Sequence, residues 1–310
     1  KEEVEMTLGR QTASVAIPFF SVTKEGNFEH QNILNQTRTQ KQLAKELGLK
    51  LETVATELKT AREKLLEQRN KRIRPLLDDK VLTSWNGLMI SAMAKTGRVL
   101  EDTNRIIKAE KAMQFILSNL KTSKGKLLRR FRDGESRYDG YLFDYSSIAV
   151  ACLELYEATY DVKHILEARS LMKTVEEKFI SEGAYHETAI DGENLIVRQI
   201  SGYDGVEPSG NSNASLAFLK LGVYLEEVSL IKCAEKIFLA FHEELLEYGM
   251  NSSFMMQALH LYLGGLKEVA IIGKRNDSPT KEMLKVIRSG FFPNAVFAFS
   301  YEDEMVKNSA

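Results

Sequence analysis

Residues 74–90 read Arg74-Pro75-Leu76-Leu77-Asp78-Asp79-Lys80-Val81-Leu82-Thr83-Ser84-Trp85-Asn86-Gly87-Leu88-Met89-Ile90, which sets two adjacent carboxylates, a lysine and the only tryptophan just ahead of an apolar helix. Pro75 keeps residue 74 out of the α region. Ser84 is of a type that caps helices, its oxygen accepting a free first-turn N–H. The stretch therefore predicts an acidic loop feeding a buried helix.

Two later segments are built alike. Tyr138-Asp139-Gly140 precedes the apolar run from Tyr145 to Tyr156, and Tyr203-Asp204-Gly205 precedes the run from Asn211 to Leu225. The triplets lie 65 residues apart (203 minus 138), Asp144 falls where Ser209 falls, and Ser209-Gly210-Asn211 resembles Ser84-Trp85-Asn86. A period of roughly sixty residues suits a unit of two helices plus connections, repeated around a ring. Inner helices are predicted to begin near residues 84, 144, 210 and 252, and outer helices near 104, 164 and 231. Between outer and inner helices, β-hairpins are predicted around Asp133-Gly134, a dipeptide favoured in tight turns, and around Asp191-Gly192, the latter with arms 184–190 and 194–200.

The ends of the chain read differently. Residues 1–37 hold a helix start followed by a loop from Phe19, and residues 39–72 form a charged amphipathic stretch that Gly48 divides into a short helix and a long one. The basic cluster Arg69, Lys71, Arg72 and Arg74 reads either as a phosphate grip or as cations near a helix C-terminus. After Gly264-Gly265, a strand at 268–272, a helix at 279–289 and a strand at 295–299 predict a small parallel βαβ unit. The expected organisation is a helical body over 1–265 and an α/β appendage over 266–310.

With 310 residues, 44% hydrophobic and 27% charged, the chain can bury a substantial core. Its 42 basic and 43 acidic residues leave a net charge of -1, so neither nucleic acid nor a membrane surface is expected as a partner. Cys152 and Cys233 sit in apolar helical patterns and read as core residues. Two cysteines make no disulfide framework or zinc cluster, and neither a metal nor a cofactor is expected. No run of 18 apolar residues and no signal peptide is present, which points to a cytoplasmic protein. The chain lacks an initiating Met and is expected to be a piece of something longer.

Arg74-Pro75 with Asp78 to Ile90, then Glu207-Pro208-Ser209-Gly210-Asn211-Ser212 and Gly26-Asn27-Phe28-Glu29, closely resemble the spermatogenesis-associated protein 20 family of thioredoxin-domain-containing proteins. The resemblance runs over nearly the whole chain and corresponds to the middle and later part of such a protein. It implies a mainly α fold, an incomplete (α/α)6 toroid of helix hairpins similar to those of sugar 2-epimerases and six-hairpin glycosidases, carrying short β-hairpins. It also implies a thioredoxin-like domain, outside this chain, as a partner. His30 departs from the family, where glycine is usual, and Phe143 stands where many members have an acid beside Asp144. The second departure weakens a carboxylate pair at Asp144.

In a ring of helix hairpins the inner helices begin at one pole. Asp78, Asp79, Trp85, Asn86, Asp144, Tyr145, Asp204, Glu207, Ser209 and Asn211 are then expected to converge on one cavity mouth. Carboxylates, amides and an aromatic face are what a saccharide site uses. Glycoside hydrolysis needs one protonated acid and a second carboxylate, for which Asp79 and Glu207 are the candidates. Epimerisation or isomerisation needs a base beside a carbonyl, for which His186 is the candidate, while the remaining pole residues are expected to bind substrate. Each has a structural counterpart: Asp78 and Asp79 paired with Lys80 and Arg74, Asp144 and Ser209 as caps, Trp85 as core, Asn86 and Asn211 as ties between repeats, His186 as a surface residue. Two functions follow, a carbohydrate-active toroid acting on a small saccharide, or a non-catalytic scaffold or regulatory module for the thioredoxin-like domain.

Overall fold

The computed structural model describes residues 1–274 and 277–301. The chain forms two compact units, Lys1–Asp78 and a second from Asp79 onward, so the division falls inside the acidic loop and the change of pattern at 265 lies within the second unit.

The first unit comprises α1 (Glu2–Leu8), α2 (Arg10–Phe19), α3 (Gln40–Leu47) and α4 (Leu51–Asn70). Thr39 and Gln42 form a reciprocal capping box at the start of α3. Gly48 ends it in the left-handed region at φ 65, a conformation that costs glycine nothing. Val15, Phe19, Leu43, Val54 and Leu58 make a buried seam between α2, α3 and α4. In the basic cluster, Arg72 pairs with Glu3, and Lys71 with Glu67 at 2.9 Å.

The second unit runs β1 (Val81–Leu82), α5 (Thr83–Val99), α6 (Thr103–Asn119), β2 (Leu128–Arg132), β3 (Glu135–Asp139), α7 (Leu142–Thr159) and α8 (Lys163–Lys178). It continues with α9 (Gly210–Tyr224), α10 (Val228–Ala240), α11 (His242–Tyr248), a 3-10 turn (Gly249–Ser252) and α12 (Ser253–Leu263). It ends with β4 (Lys267–Gly273), α13 (Ser278–Ser289) and β5 (Ala295–Tyr301).

Contacts at matched heights give the helix directions. Near the helix starts, a Cβ on Gly87 of α5 would lie 2.9 Å from the Ser147 backbone of α7; near their ends Arg98 pairs with Glu157. Those two helices are therefore parallel. Gly210 lies against Leu142 at one end, and Lys220 meets Glu157 at 2.8 Å toward the other, which places α9 parallel to α7. Conversely, Gly97 near the end of α5 abuts Ile106 near the start of α6, and Gly222 near the end of α9 abuts Ile231 of α10, so each inner helix turns back into an antiparallel outer one. The fold is mainly α, an incomplete (α/α)6 toroid. α7 lies in its middle, where every residue from Leu142 to Ala158 is buried.

The inner helices start at 83, 142, 210 and 253, close to the expected 84, 144, 210 and 252. Ser84, however, does not cap α5. The helix begins at Thr83, whose hydroxyl donates to the Leu128 carbonyl at 2.6 Å, and Ser84 acts through its backbone N–H. The first expected hairpin forms as β2 and β3, with Asp133 and Gly134 at φ 54 and 78, and β1 joins it as a third antiparallel strand. The second does not form. Between the arms 184–190 and 194–200 a single backbone hydrogen bond is made among the described residues, Glu187 N–H to the Gln199 carbonyl. The other groups a ladder needs are spent elsewhere: both Tyr185 backbone groups bond the Asn211 amide, and the Glu187 carbonyl accepts from Leu142. At the end of the chain β4 and β5 pair in parallel through α13, as expected. Among the described residues no helix is long and apolar enough to cross a membrane.

Candidate functional site

At the pole where the inner helices begin, three polar side chains clasp backbone groups of neighbouring elements. Asp144, in the first turn of α7 and fully buried, accepts from Ser84 N at 3.0 Å and from Tyr141 N at 2.9 Å, with Arg129 at 3.4 Å. Asp204 accepts from Ser209 N at 2.8 Å and from Phe254 N at 2.7 Å, linking the starts of α9 and α12. Asn211 accepts from Tyr185 N at 3.0 Å and donates to the Tyr185 and Ser201 carbonyls at 2.9 and 3.0 Å. The first N–H groups of a helix have no intrahelical partner, and a carboxylate there also complements the helix dipole. Asp144 and Asp204 thus use one device, an acid that satisfies the start of a neighbouring inner helix, α5 for Asp144 and α12 for Asp204. Burial pushes the Asp144 carboxyl above its usual value, outweighing Tyr141, Arg129 and Ser84, which all favour its charged form. Ser209 caps α9 by accepting from Ser212 N at 3.0 Å. Tyr145 is core, its hydroxyl accepting from Leu127 N at 2.9 Å.

Of the remaining pole residues, Trp85, Asp78 and Asp79 are exposed and Asn86, Glu207 and His186 are half-buried. Trp85 is 60% exposed, and its indole N–H donates to Glu207 Oε2 at 2.7 Å, a contact between residues 122 positions apart. Asn86 donates to the Leu82 carbonyl at 2.8 Å. Asp79 pairs with Arg132 of β2 at 2.7 Å, and Asp78, also exposed, is the last residue of the first unit. His186 sits with Nδ1 3.1 Å from the Arg198 carbonyl. The structure therefore joins Trp85 to Glu207, Asp144 to Ser84, and Asp204 to Ser209, whereas Asp79 is held by the β-sheet.

Glu187 is a residue that sequence reasoning missed. Its backbone is anchored at the start of α7, its carboxylate has no partner among the described residues, and burial pushes it up to about 7. Nothing local marks it, because its burial comes from elements distant in sequence. A carboxyl raised on folding stabilises the fold in its protonated form. That contribution is complete below the ordinary value near 4.5 and is lost as pH rises through 7. Glu187→Gln is therefore expected to stabilise the protein by roughly 1–3 kcal/mol at pH 8 and by nothing measurable at pH 4, checked by urea denaturation at both.

No family model matches the chain. It is similar to human spermatogenesis-associated protein 20, with 29% identity over 291 residues, covering 90% of this chain and 37% of that protein. The mouse protein of the same name is 28% identical over 290 residues, with the same coverage. The resemblance to spermatogenesis-associated protein 20 is borne out. The chain spans 37% of the length of these relatives. Among solved structures it is similar to a cellobiose 2-epimerase from Bacillus thermoamylovorans, at 15% identity and a TM-score of 0.49, over 66% of this chain and 59% of that one. A D-mannose isomerase is similar at 14% identity and a TM-score of 0.45, over 78% and 70% of the two chains.

Proposed function

We propose that the toroid binds a small saccharide at the pole where its inner helices begin, with Trp85 as the stacking platform and Glu207 as the acceptor for a sugar hydroxyl. The observation that carries this reading is the Trp85–Glu207 contact. A tryptophan left 60% exposed and held by a carboxylate from another repeat offers a preformed apolar face beside a polar group. Such a mixture is what orients a polyhydroxylated ring with an apolar C–H face. Asp79, Glu207 and His186 remain the candidates for chemistry, and Glu187, titrating near 7, has the protonation behaviour that a general acid needs at neutral pH.

Because Trp85 is the only tryptophan, intrinsic fluorescence reports on this pole alone. Titration with glucose, mannose and cellobiose is expected to shift or quench the emission for at least one of them. Glu207→Gln should weaken that binding about tenfold or more while leaving the melting temperature nearly unchanged, since the pair is exposed. A flat titration with every sugar overturns the reading.

One observation favours a second reading, in which this face docks the thioredoxin-like domain implied by the resemblance. Ile190, Ile196, Val197, Tyr203 and Val206 are all well exposed along the loop that leads to α9. Apolar side chains clustered in this way commonly mark an interaction surface. A fluorescence change on adding such a domain, with none on adding sugars, would select it.

A further inference from the structure

A cavity of about 630 Å3, within the range of small-molecule sites, opens toward the C-terminal ends of α5, α7 and α9 and is covered by α13 and the segment leading to β5. Neither Trp85 nor Glu207 lines it. Its wall carries Lys95 and Arg98 from α5, Glu154 from α7, Lys220 from α9, Arg288 from α13, and the ring of Phe291. Lys220 bonds Glu154 Oε1 at 3.2 Å, and Arg98 pairs with the neighbouring Glu157, which Lys220 also meets. Those charges are balanced within the wall. Lys95 and Arg288 add to them, since neither has a carboxylate partner among the described residues, Arg288 being hydrogen-bonded to the neutral Tyr160 side chain. The site therefore holds excess positive charge.

A second feature points the same way. Among the described residues, three buried polar atoms of this wall have no hydrogen-bond partner: Arg98 Nε, Arg288 Nε and Glu154 Oε2, the last on a side chain only 9% exposed and 4.0 Å from a terminal nitrogen of Arg98. Buried polar groups are satisfied almost everywhere in proteins, and three orphans around one cavity call for a ligand that supplies two acceptors and one donor. We propose that this cavity binds a small organic anion. Its charged group is held by Lys95 and Arg288, its apolar body rests against Phe291, and a hydroxyl donates to Glu154.

The test is calorimetric titration of the intact chain with 4-hydroxybenzoate and with 4-hydroxyphenyl phosphate, which separate a carboxylate from a phosphate ester, and with neutral 4-hydroxybenzyl alcohol. At least one anion is expected to bind about tenfold more tightly than the alcohol. Lys95→Gln, on an exposed side chain whose loss does not threaten the fold, should weaken that anion several-fold and flatten its salt dependence. Phe291→Ala, at a residue 90% exposed, should also weaken it, and Trp85→Ala should leave it unchanged. Failure of both anions to bind, equal binding of the alcohol, or affinities untouched by Lys95→Gln and Phe291→Ala would overturn the proposal.

Discussion

Replacing Glu157 with glutamine is expected to destabilise the protein by roughly 3–5 kcal/mol, a fall in melting temperature on the order of 10 °C. Glu157 is 3% exposed and receives three partners: the Arg98 guanidinium, Lys220 Nζ at 2.8 Å and the Tyr224 hydroxyl at 3.1 Å. Burial alone would push its carboxyl up, but Lys220 and then Arg98 more than reverse that and hold it below the usual carboxylate value. Burial likewise opposes the charge on Lys220, and Glu154 and Glu157 together raise it above the ordinary lysine value. Without the Glu157 charge, Arg98 and Lys220 share Glu154 alone, and one buried positive charge has no counterpart.

The pH dependence has a definite sign. Glu157 contributes stability above its ordinary value near 4.5, and that contribution disappears as pH falls through its lower folded value. Lys220 contributes below its ordinary value near 10.5, and its share is lost only as pH rises through the raised folded value. The gap between the wild type and Glu157→Gln should therefore be widest between about pH 6 and 9 and close in acid. Adding Lys220→Met to Glu157→Gln should recover part of the loss, which a double-mutant cycle measures. A single-mutant loss below about 1 kcal/mol would show that water already screens the cluster.

Asp144→Ala is the second large effect. It leaves the Ser84 N–H buried without an acceptor and strips another from Tyr141, each costing about 1–3 kcal/mol. The expected total is about 3–5 kcal/mol, read from urea denaturation. Asp144→Asn retains one carbonyl oxygen and should lose about half as much. The comparison also separates a structural from a ligand-binding aspartate. A residue that serves ligand alone would leave stability unaltered on truncation and change only saccharide affinity. Asp144→Ala with wild-type stability would return this residue to the binding site.

How much was legible depends on the range of the signal. Asp133-Gly134 specified its own hairpin because the turn chemistry is local, and β2 and β3 formed around it. Asp191-Gly192 carries the same signal and made no hairpin, because Asn211 claimed the Tyr185 backbone from 26 positions away. The pairing of Trp85 with Glu207 left no local trace either, although both residues stood out by type. For the charged cluster, Glu154 and Glu157 are the available mark, two acids in the otherwise apolar stretch from Ile148 to Ala158, all of it buried.

By itself the sequence determined the helix hairpins, their starts and the terminal βαβ unit. Apolar periodicity, the Tyr-Asp-Gly repeats and turn residues act over a few positions and need no partner to be read. Only the tertiary structure decided which polar group meets which. Asp144 became a clasp for α5 because α7 lies parallel beside it, and Glu187 was driven up to about 7 by burial. Arg98, Glu154, Glu157 and Lys220 gathered at one end because three helices run in the same direction. Desolvation and charge pairing depend on distances in space, and these exist only once the elements have packed.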